Sequence, residues 1–351
     1  MNLNYLLQQT VINNASDLHL CTGVSPVIRI HGDLIYLNEP VLTAQDCERM
    51  AKQCLSSDLF NTLVETGEVD ASYSLPGIAR FRINIFRQRG SYAIAARTIP
   101  TEIPKIEDLG LPEITAELAM KQRGLVLLTG PTGSGKSTTL AAMIDYINNR
   151  KKCHIITIED PIEFLHKHNR SIINQREIGG DTKSYSNAMR AVLREDPDVI
   201  LIGEMRDQET IATALTAAET GHLVLSTLHT VGSAKTIDRI IDVFPPYQQS
   251  QVRSQLSTVL MGIISQQLIK RADGRGRLLA TEVMTWTPAI ANLIRESRTP
   301  QINTCIHTGS QFGMHSMDSC VANLYRSKLI DFESACQYAL DIDNLKKLLS
   351  T

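Results

Sequence analysis

The segment 124–140, GLVLLTGPTGSGKSTTL, leaves a chain little freedom. Residues 125–128 form an unbroken apolar run, the pattern of a strand buried on both faces of a parallel sheet. They lead straight into Gly130, Pro131, Thr132, Gly133, Ser134, Gly135, Lys136 and Ser137, which match G-x-x-x-x-G-K-[ST] at every position. A helical stretch begins at Thr138 and runs to about 148, so the motif stands between a strand and a helix, where its mechanism needs it. Glycines let backbone N–H groups turn inward toward phosphate oxygens. The helix N-terminus adds partial positive charge at the same point. Lys136 can reach the outer phosphates of a nucleotide, and the Ser137 hydroxyl can ligate Mg²⁺. The expected nucleotide-binding stretch is therefore 130–138, with ATP and Mg²⁺ as ligands.

A length of 351 residues suggests two domains, and 43% hydrophobic residues suffice for proper cores. The 35 basic and 37 acidic residues give a net charge of −2, without the basic excess of a nucleic-acid footprint. The seven cysteines contain no C-x-x-C, so neither a zinc ribbon nor a disulfide frame is indicated. Their odd number, and an N-terminus without the pattern of a signal peptide, lead us to expect a reducing cytoplasm. No apolar run approaches the length that spans a bilayer.

Along the chain, residues 3–11 read as a short amphipathic helix and 16–20 as a strand. Residues 27–30 and 34–37 flank His31, Gly32 and Asp33 as a hairpin. Thr43, with Asp46 three residues on, can cap a helix to about 55. Strands near 69–74, 80–86 and 91–97 complete a small α+β domain. In the second of these, Phe81, Ile83 and Ile85 point one way, and Arg80, Arg82 and Asn84 the other. For Arg80 and Arg82 the residues alone favour a solvated sheet face. Residues 99–112 hold three prolines and little periodicity, the mark of a linker. Beyond it, apolar strands at 154–158, 198–202 and 223–228 alternate with helices at 186–195 and 208–219. That alternation predicts a parallel sheet covered on both faces. From 246 onward the chain reads as mostly helical.

Chemistry-bearing residues cluster at the ends of these strands. Residues 199–202 deliver Glu204 to the sheet's carboxyl edge, where it can hold Mg²⁺ or orient the attacking water. Glu159, Asp160 and Glu163 follow the preceding strand, either as solvated acids or as the water-positioning group for hydrolysis. His222 and His229 flank the strand 223–228, and both can face a γ-phosphate; His229, at the carboxyl end of the strand, is the favoured one, and for His222 a structural role weighs equally. Arg190, Arg194 and Arg206 can stabilise transferring phosphate charge, but pairing with Glu195, Asp196 or Asp207 is the simpler expectation.

Taken together, GPTGSGKST, ITIEDPIEF, LREDPDVILIGEMRD, TALTAAETGH and STLHT resemble the ATPases of type II and type IV secretion systems. The likeness is strongest to the pilus-retraction motors among them. ASDLHL, ARFRINIF, RTIP, KTIDRIIDVFP and TPAIANLIRE extend it over essentially the whole chain. The resemblance implies an α/β fold with a RecA-like P-loop ATPase core at 115–285 and a smaller PAS-like N-terminal α+β domain at 1–99. A linker at 100–114 and a helical C-terminal region at 286–351 complete it. It also implies a homo-hexamer whose neighbours lend Arg82 and Arg97 to each site. Glu163 becomes the catalytic base, Glu204 the Walker B acid and, with Ser137, a metal ligand. His222 and His229 become histidine-box residues, the first at the nucleotide and the second in catalysis. The partner would be an inner-membrane platform protein (PilC-like), bound from the cytoplasmic side in twitching motility, with no role for nucleic acid. Assembly motors of the family carry an extra N-terminal domain and a four-cysteine zinc site, and neither is expected here. The family's late motif reads AIRNLIRE, and Ala291 stands where it has arginine.

Overall fold

The computed structural model describes residues 2–30, 32–100 and 102–350, so His31 of the expected hairpin lies outside the described residues. The chain divides into two compact units, Met1–Glu102 with Glu163–Leu165, and Ile103–Ile162 with His166–Thr351.

The first unit is built on six antiparallel strands. These are β1 (Asp17–Leu20), β2 (Val27–Ile30), β3 (Asp33–Tyr36), β4 (Glu68–Leu75), β5 (Ala79–Gln88) and β6 (Ser91–Ile99), in the order β3-β2-β1-β6-β5-β4. The alternation in β5 is real, since Phe81, Ile83 and Ile85 have no exposed surface. They share a core with Leu3, Leu6 and Leu7 of the first helix and Cys47, Met50 and Ala51 of the helix Ala44–Cys54. Thr43 and Asp46 do cap that helix reciprocally, satisfying two of its free N–H groups. A helix not assigned from the sequence, Ser57–Thr66, precedes β4, capped by Ser56 and ended by Gly67 in the left-handed region.

The second unit has seven strands. They are β7 (Gly124–Thr129), β8 (His154–Glu159), β9 (Ile172–Glu177), β10 (Val199–Ile202), β11 (Leu223–Leu228), β12 (Leu260–Lys270) and β13 (Arg277–Thr285). Their order is β13-β12-β7-β11-β10-β8-β9; all neighbours are parallel except β12 and β13. Both faces are covered, so the central strands are mainly apolar and feed two cores alternately. Leu125, Leu127, Ile200, Ile202 and Val224 join one core; Val126, Leu128, Val199, Leu201 and Leu225 join the other.

Two expectations need correction. The region after 246 is not mostly helical up to 286, because β12 and β13 extend the sheet beyond β7. Their sequence, LMGIISQQLIK and RLLATEVMT, mixes polar residues into the apolar run, which hid the strands. The sheet is also mixed rather than wholly parallel, since β13 returns by a short turn and pairs antiparallel with β12.

Candidate nucleotide site at the carboxyl edge of the sheet

The parallel strands end along one edge, and the register fixes what meets there. Thr129 of β7 lies opposite Leu228 of β11, so Gly130 and His229 leave the sheet side by side, about 5 Å apart. Ile202 of β10 aligns with Ser226, which puts Glu204 level with the end of β7, two strands and about 10 Å away. The edge therefore gathers the phosphate loop, His229 and Glu204 in that order.

The loop is shaped by close packing. At Gly130 an added Cβ would lie 2.2 Å from the carbonyl oxygen of Gln266 and 2.7 Å from Ser134 Oγ. No side chain fits there. Gly135, with φ 91°, is the N-cap of the helix Lys136–Asn148, and no side chain caps that terminus. Its first-turn N–H groups and dipole thus face the loop, as an anion would require. Lys136 is 8% exposed, and its Nζ donates to the carbonyls of Gly130 (2.8 Å) and Pro131 (3.0 Å). A triphosphate offers charged acceptors to the same ammonium, and such bonds are roughly twice as strong as neutral ones. Pro131, Thr132 and Gly133 are exposed, Ser134 is buried, and Ser137 and Thr138 are half-buried on the first helical turn.

Glu204 is held from two sides. Arg206 donates to its Oε2 at 2.8 Å, and His229 Nε2 lies 3.2 Å from its Oε1. Burial pushes the Glu204 carboxyl up, but the Arg206 hydrogen bond and the His229 and Arg206 charges outweigh it. The carboxyl sits below its ordinary value of 4.5 and is ionised at neutral pH. The turn carrying it is pinned to β11, where Ser226 Oγ donates to the Ile202 carbonyl (2.8 Å) and Thr227 Oγ1 to that of Gly203 (2.7 Å).

The structure separates the two histidines. His222 precedes β11, and its carbonyl accepts from Gly124 N at the amino edge of the sheet. Six residues of strand, about 20 Å, divide it from the loop. The expectation that His222 faces the phosphates of its own chain is thus corrected; its Nδ1 lies 2.9 Å from the Ala217 carbonyl. The expected arginine pairings also change. Arg206 pairs with Glu204, Arg190 with Glu209, and Glu195 receives Arg176 instead. Asp207 caps the helix Gln208–Glu219.

In the first unit, the register lines up Arg29, Asp17, Arg97, Arg82 and Ser72 across five strands. Arg82 and Arg97 are therefore directly opposed and exposed, an arrangement that costs stability unless an anion lies near. Asp17 supplies one, accepting from Arg97 Nε at 2.8 Å. Glu163 is exposed and is grouped with this unit. Ala291 is 4% exposed, so the departure from the family motif is packed inside the second unit.

Three residues at the edge escaped the sequence reading. Tyr185 has its hydroxyl 2.9 Å from where a Cβ on Gly203 would stand. Burial and the Asp160, Glu159 and Glu204 charges push its phenol up. Thr139 and Gln266 bond to each other beneath the loop. None belongs to a motif; Thr139 alone had a signal, its place within GKSTT.

A phosphate loop with an ionised acid two strands over, on a mainly parallel sheet covered on both faces, puts the chain among the P-loop ATPases. Residues 79–327 match the model of the family described as "Type II/IV secretion system protein". The chain is 49% identical to the type IV pilus retraction ATPase PilT of Pseudomonas aeruginosa, over 97% of this chain and 98% of that one. It is 48% identical to a twitching motility protein of Neisseria gonorrhoeae, over 97% and 91%. Among solved structures, the pilus retraction motor PilT with bound ADP superposes with a TM-score of 0.91 at 47% identity, covering 99% of both chains. The chain belongs to the type II/IV secretion system protein family. Among the described residues no helix is long and apolar enough to cross a membrane.

Two outcomes follow from this geometry. Gly130→Ala is expected to abolish nucleotide binding, because its methyl group collides with the Gln266 backbone. Gly133→Ala meets open space and should bind, at a cost of about 1–2 kcal/mol for its φ of 78°. Titration with a fluorescent nucleotide, alongside thermal melting, separates the two.

The second concerns Asp17. Burial raises its carboxyl, but hydrogen bonds from Ser16 and Arg97 and the Arg97 and His19 charges hold it below the ordinary value of 3.8. Its stabilisation is therefore present at neutral pH and is lost as pH falls through the depressed folded value. Melting the full chain from pH 7 down to about 3 should show a smaller acid-induced loss in Asp17→Asn than in the wild type.

Proposed function

We propose that this protein is an ATP-hydrolysing hexameric motor that powers type IV pilus retraction. The observation that carries this reading is its likeness to the retraction ATPase over nearly the full length of both chains. In this reading residues 115–285 are the RecA-like core, 1–99 a PAS-like domain, 100–114 the linker and 286–351 a helical C-terminal region. ATP binds with its phosphates on the loop 130–137, against the Lys136 ammonium and the N-terminus of the helix that follows. The Ser137 hydroxyl and the Glu204 carboxylate are oxygen donors, which suits Mg²⁺ as a hard cation. When bound, the ion neutralises charge on the β- and γ-phosphates.

The chain's own groups supply the rest. Glu204, kept ionised by Arg206 and His229, orients water at the γ-phosphate side of the loop. His229, beside Gly130 and in contact with Glu204, couples the occupancy of the loop to that acid. Glu163 acts as the general base on the attacking water. Arg82 and Arg97 of a neighbouring copy stabilise the charge that develops on the transferring group. Hydrolysis drives rotation between the two units. The ring works in the cytoplasm against an inner-membrane platform protein (PilC-like), withdrawing pilin subunits from the fibre base, with no part played by nucleic acid.

Lys136→Ala is expected to release no phosphate above background with Mg²⁺ and ATP. Cells carrying it should keep surface pili that do not shorten in time-lapse imaging of labelled fibres. Bald cells would instead indicate an assembly motor, and normal turnover by the variant would end the ATPase reading. For the arginines, hexamers mixed from Arg82→Ala and Lys136→Ala subunits should recover part of the activity each lacks alone. Mixed rings without recovery exclude action in trans.

A further inference from the structure

We propose that Ser265 and Gln266, consecutive residues of β12, are positioning residues that brace the two halves of the nucleotide site against each other. The proposal rests on the reading of 130–138 as an ATP site. β7 pairs with β12 only as far as Thr129, opposite Ser265; β12 then runs on beside β13 alone. The stretch just past that point forms the floor of the phosphate loop. The Gln266 carbonyl occupies the space a side chain on Gly130 would need, and Leu268 Cδ1 lies 3.8 Å from where a Cβ on Gly135 would stand.

Side chains alternate along a strand, so the two residues act on opposite faces. Gln266 has no exposed surface, and its Nε2 donates to Thr139 Oγ1 at 2.9 Å, in the first turns of the loop's helix. Ser265 Oγ accepts from Gly232 N at 3.0 Å, three residues beyond His229. The next residue, Ser233, donates from N and Oγ to Glu282 of β13 at 2.7 and 2.9 Å. One rigid ribbon, β12 with β13, thus holds the loop that grips phosphate and the turn that carries His229 to Glu204.

The polarity of the position supports a role beyond packing. Gln266 Oε1 and Ser134 Oγ are buried with no hydrogen-bond partner among the described residues. An apolar side chain at 266 would remove one of these unmet groups, since a buried polar atom left unpaired is destabilising. Such costs concentrate where function demands them. Gln266 acts through Thr139 on the loop, and Ser265 acts through Gly232 on the His229 turn. The first contact governs affinity for the triphosphate, and the second governs turnover.

The full-length protein tests this with a methylanthraniloyl-labelled ATP and steady-state kinetics. Gln266→Leu and Thr139→Val, which keep shape but remove the bond, should each weaken binding about tenfold. The double variant should be no weaker than either single one, because both remove one interaction. Thr139→Ser, which restores the hydroxyl, should recover most of the affinity lost in Thr139→Val. Ser265→Ala should lower kcat about tenfold with KM within about twofold. Circular dichroism melts confirm folding, and if Gln266→Leu fails to fold, Thr139→Val and its serine rescue decide. Unchanged affinity or additive losses in folded variants overturn the brace while leaving the proposed function standing, provided Lys136→Ala has lost binding. An unaltered kcat in Ser265→Ala overturns its half. A wild-type protein that binds no labelled ATP overturns both this proposal and the reading beneath it.

Discussion

The site depends on one steric fact, the approach of the β12 backbone to Gly130. A carbonyl oxygen 2.2 Å from the missing Cβ excludes every side chain at that position. The excluded volume fixes where β7 must leave the sheet and how the loop turns back into its helix. A P-loop is usually described from the ligand side, as amides converging on phosphate. Here its shape is equally set from behind, by a strand more than a hundred residues later in sequence. The same contact requires β12 to lie next to β7, as it does in the seven-stranded order.

Electrostatics then divides the edge by sign. The loop and its uncapped helix terminus favour anions, and Lys136 adds a full charge to them. Two strands away Glu204 is kept ionised against its own burial by Arg206 and His229. A group poised between opposing influences responds to small changes nearby. His229 Nε2, next to Gly130 at the strand ends, lies 3.2 Å from Glu204 Oε1, so the two sides of the edge are in direct contact. In the first unit the same logic runs the other way. Three arginines and one aspartate share a row across the sheet, and the cationic surplus faces solvent.

Much of this was legible in the residues, for local reasons. A strand buried on both faces is apolar over most of its length, and that pattern alone marks β7, β8, β10 and β11. The capping pair Thr43 and Asp46 satisfies N–H groups within one helical turn, so it too is visible over four residues. The β12–β13 pair stays hidden because Ser265, Gln266 and Gln267 interrupt the apolar run, and their hydrogen-bond partners Gly232, Thr139 and Tyr338 are distant in sequence. The helix Ser57–Thr66 lies outside the sequence expectation although Leu59, Phe60 and Leu63 fall at helical spacing, because the pattern covers little more than one turn.

Spacing and residue type act over a few bonds, so residues 124–140 alone specify a strand, a glycine loop and a helix shaped for phosphate. Acids at the ends of neighbouring strands are specified in the same local way. Which of these groups meet depends on how distant segments pack. His222 and His229 bracket one strand, and the residues alone favour His229, at its carboxyl end, while leaving His222 undecided. A six-residue strand puts their backbones at opposite edges, since an extended chain advances about 3.3 Å per residue. Gln266 carries no motif at all, and its place beneath Gly130 exists only because parallel pairing set β12 against β7 in one register.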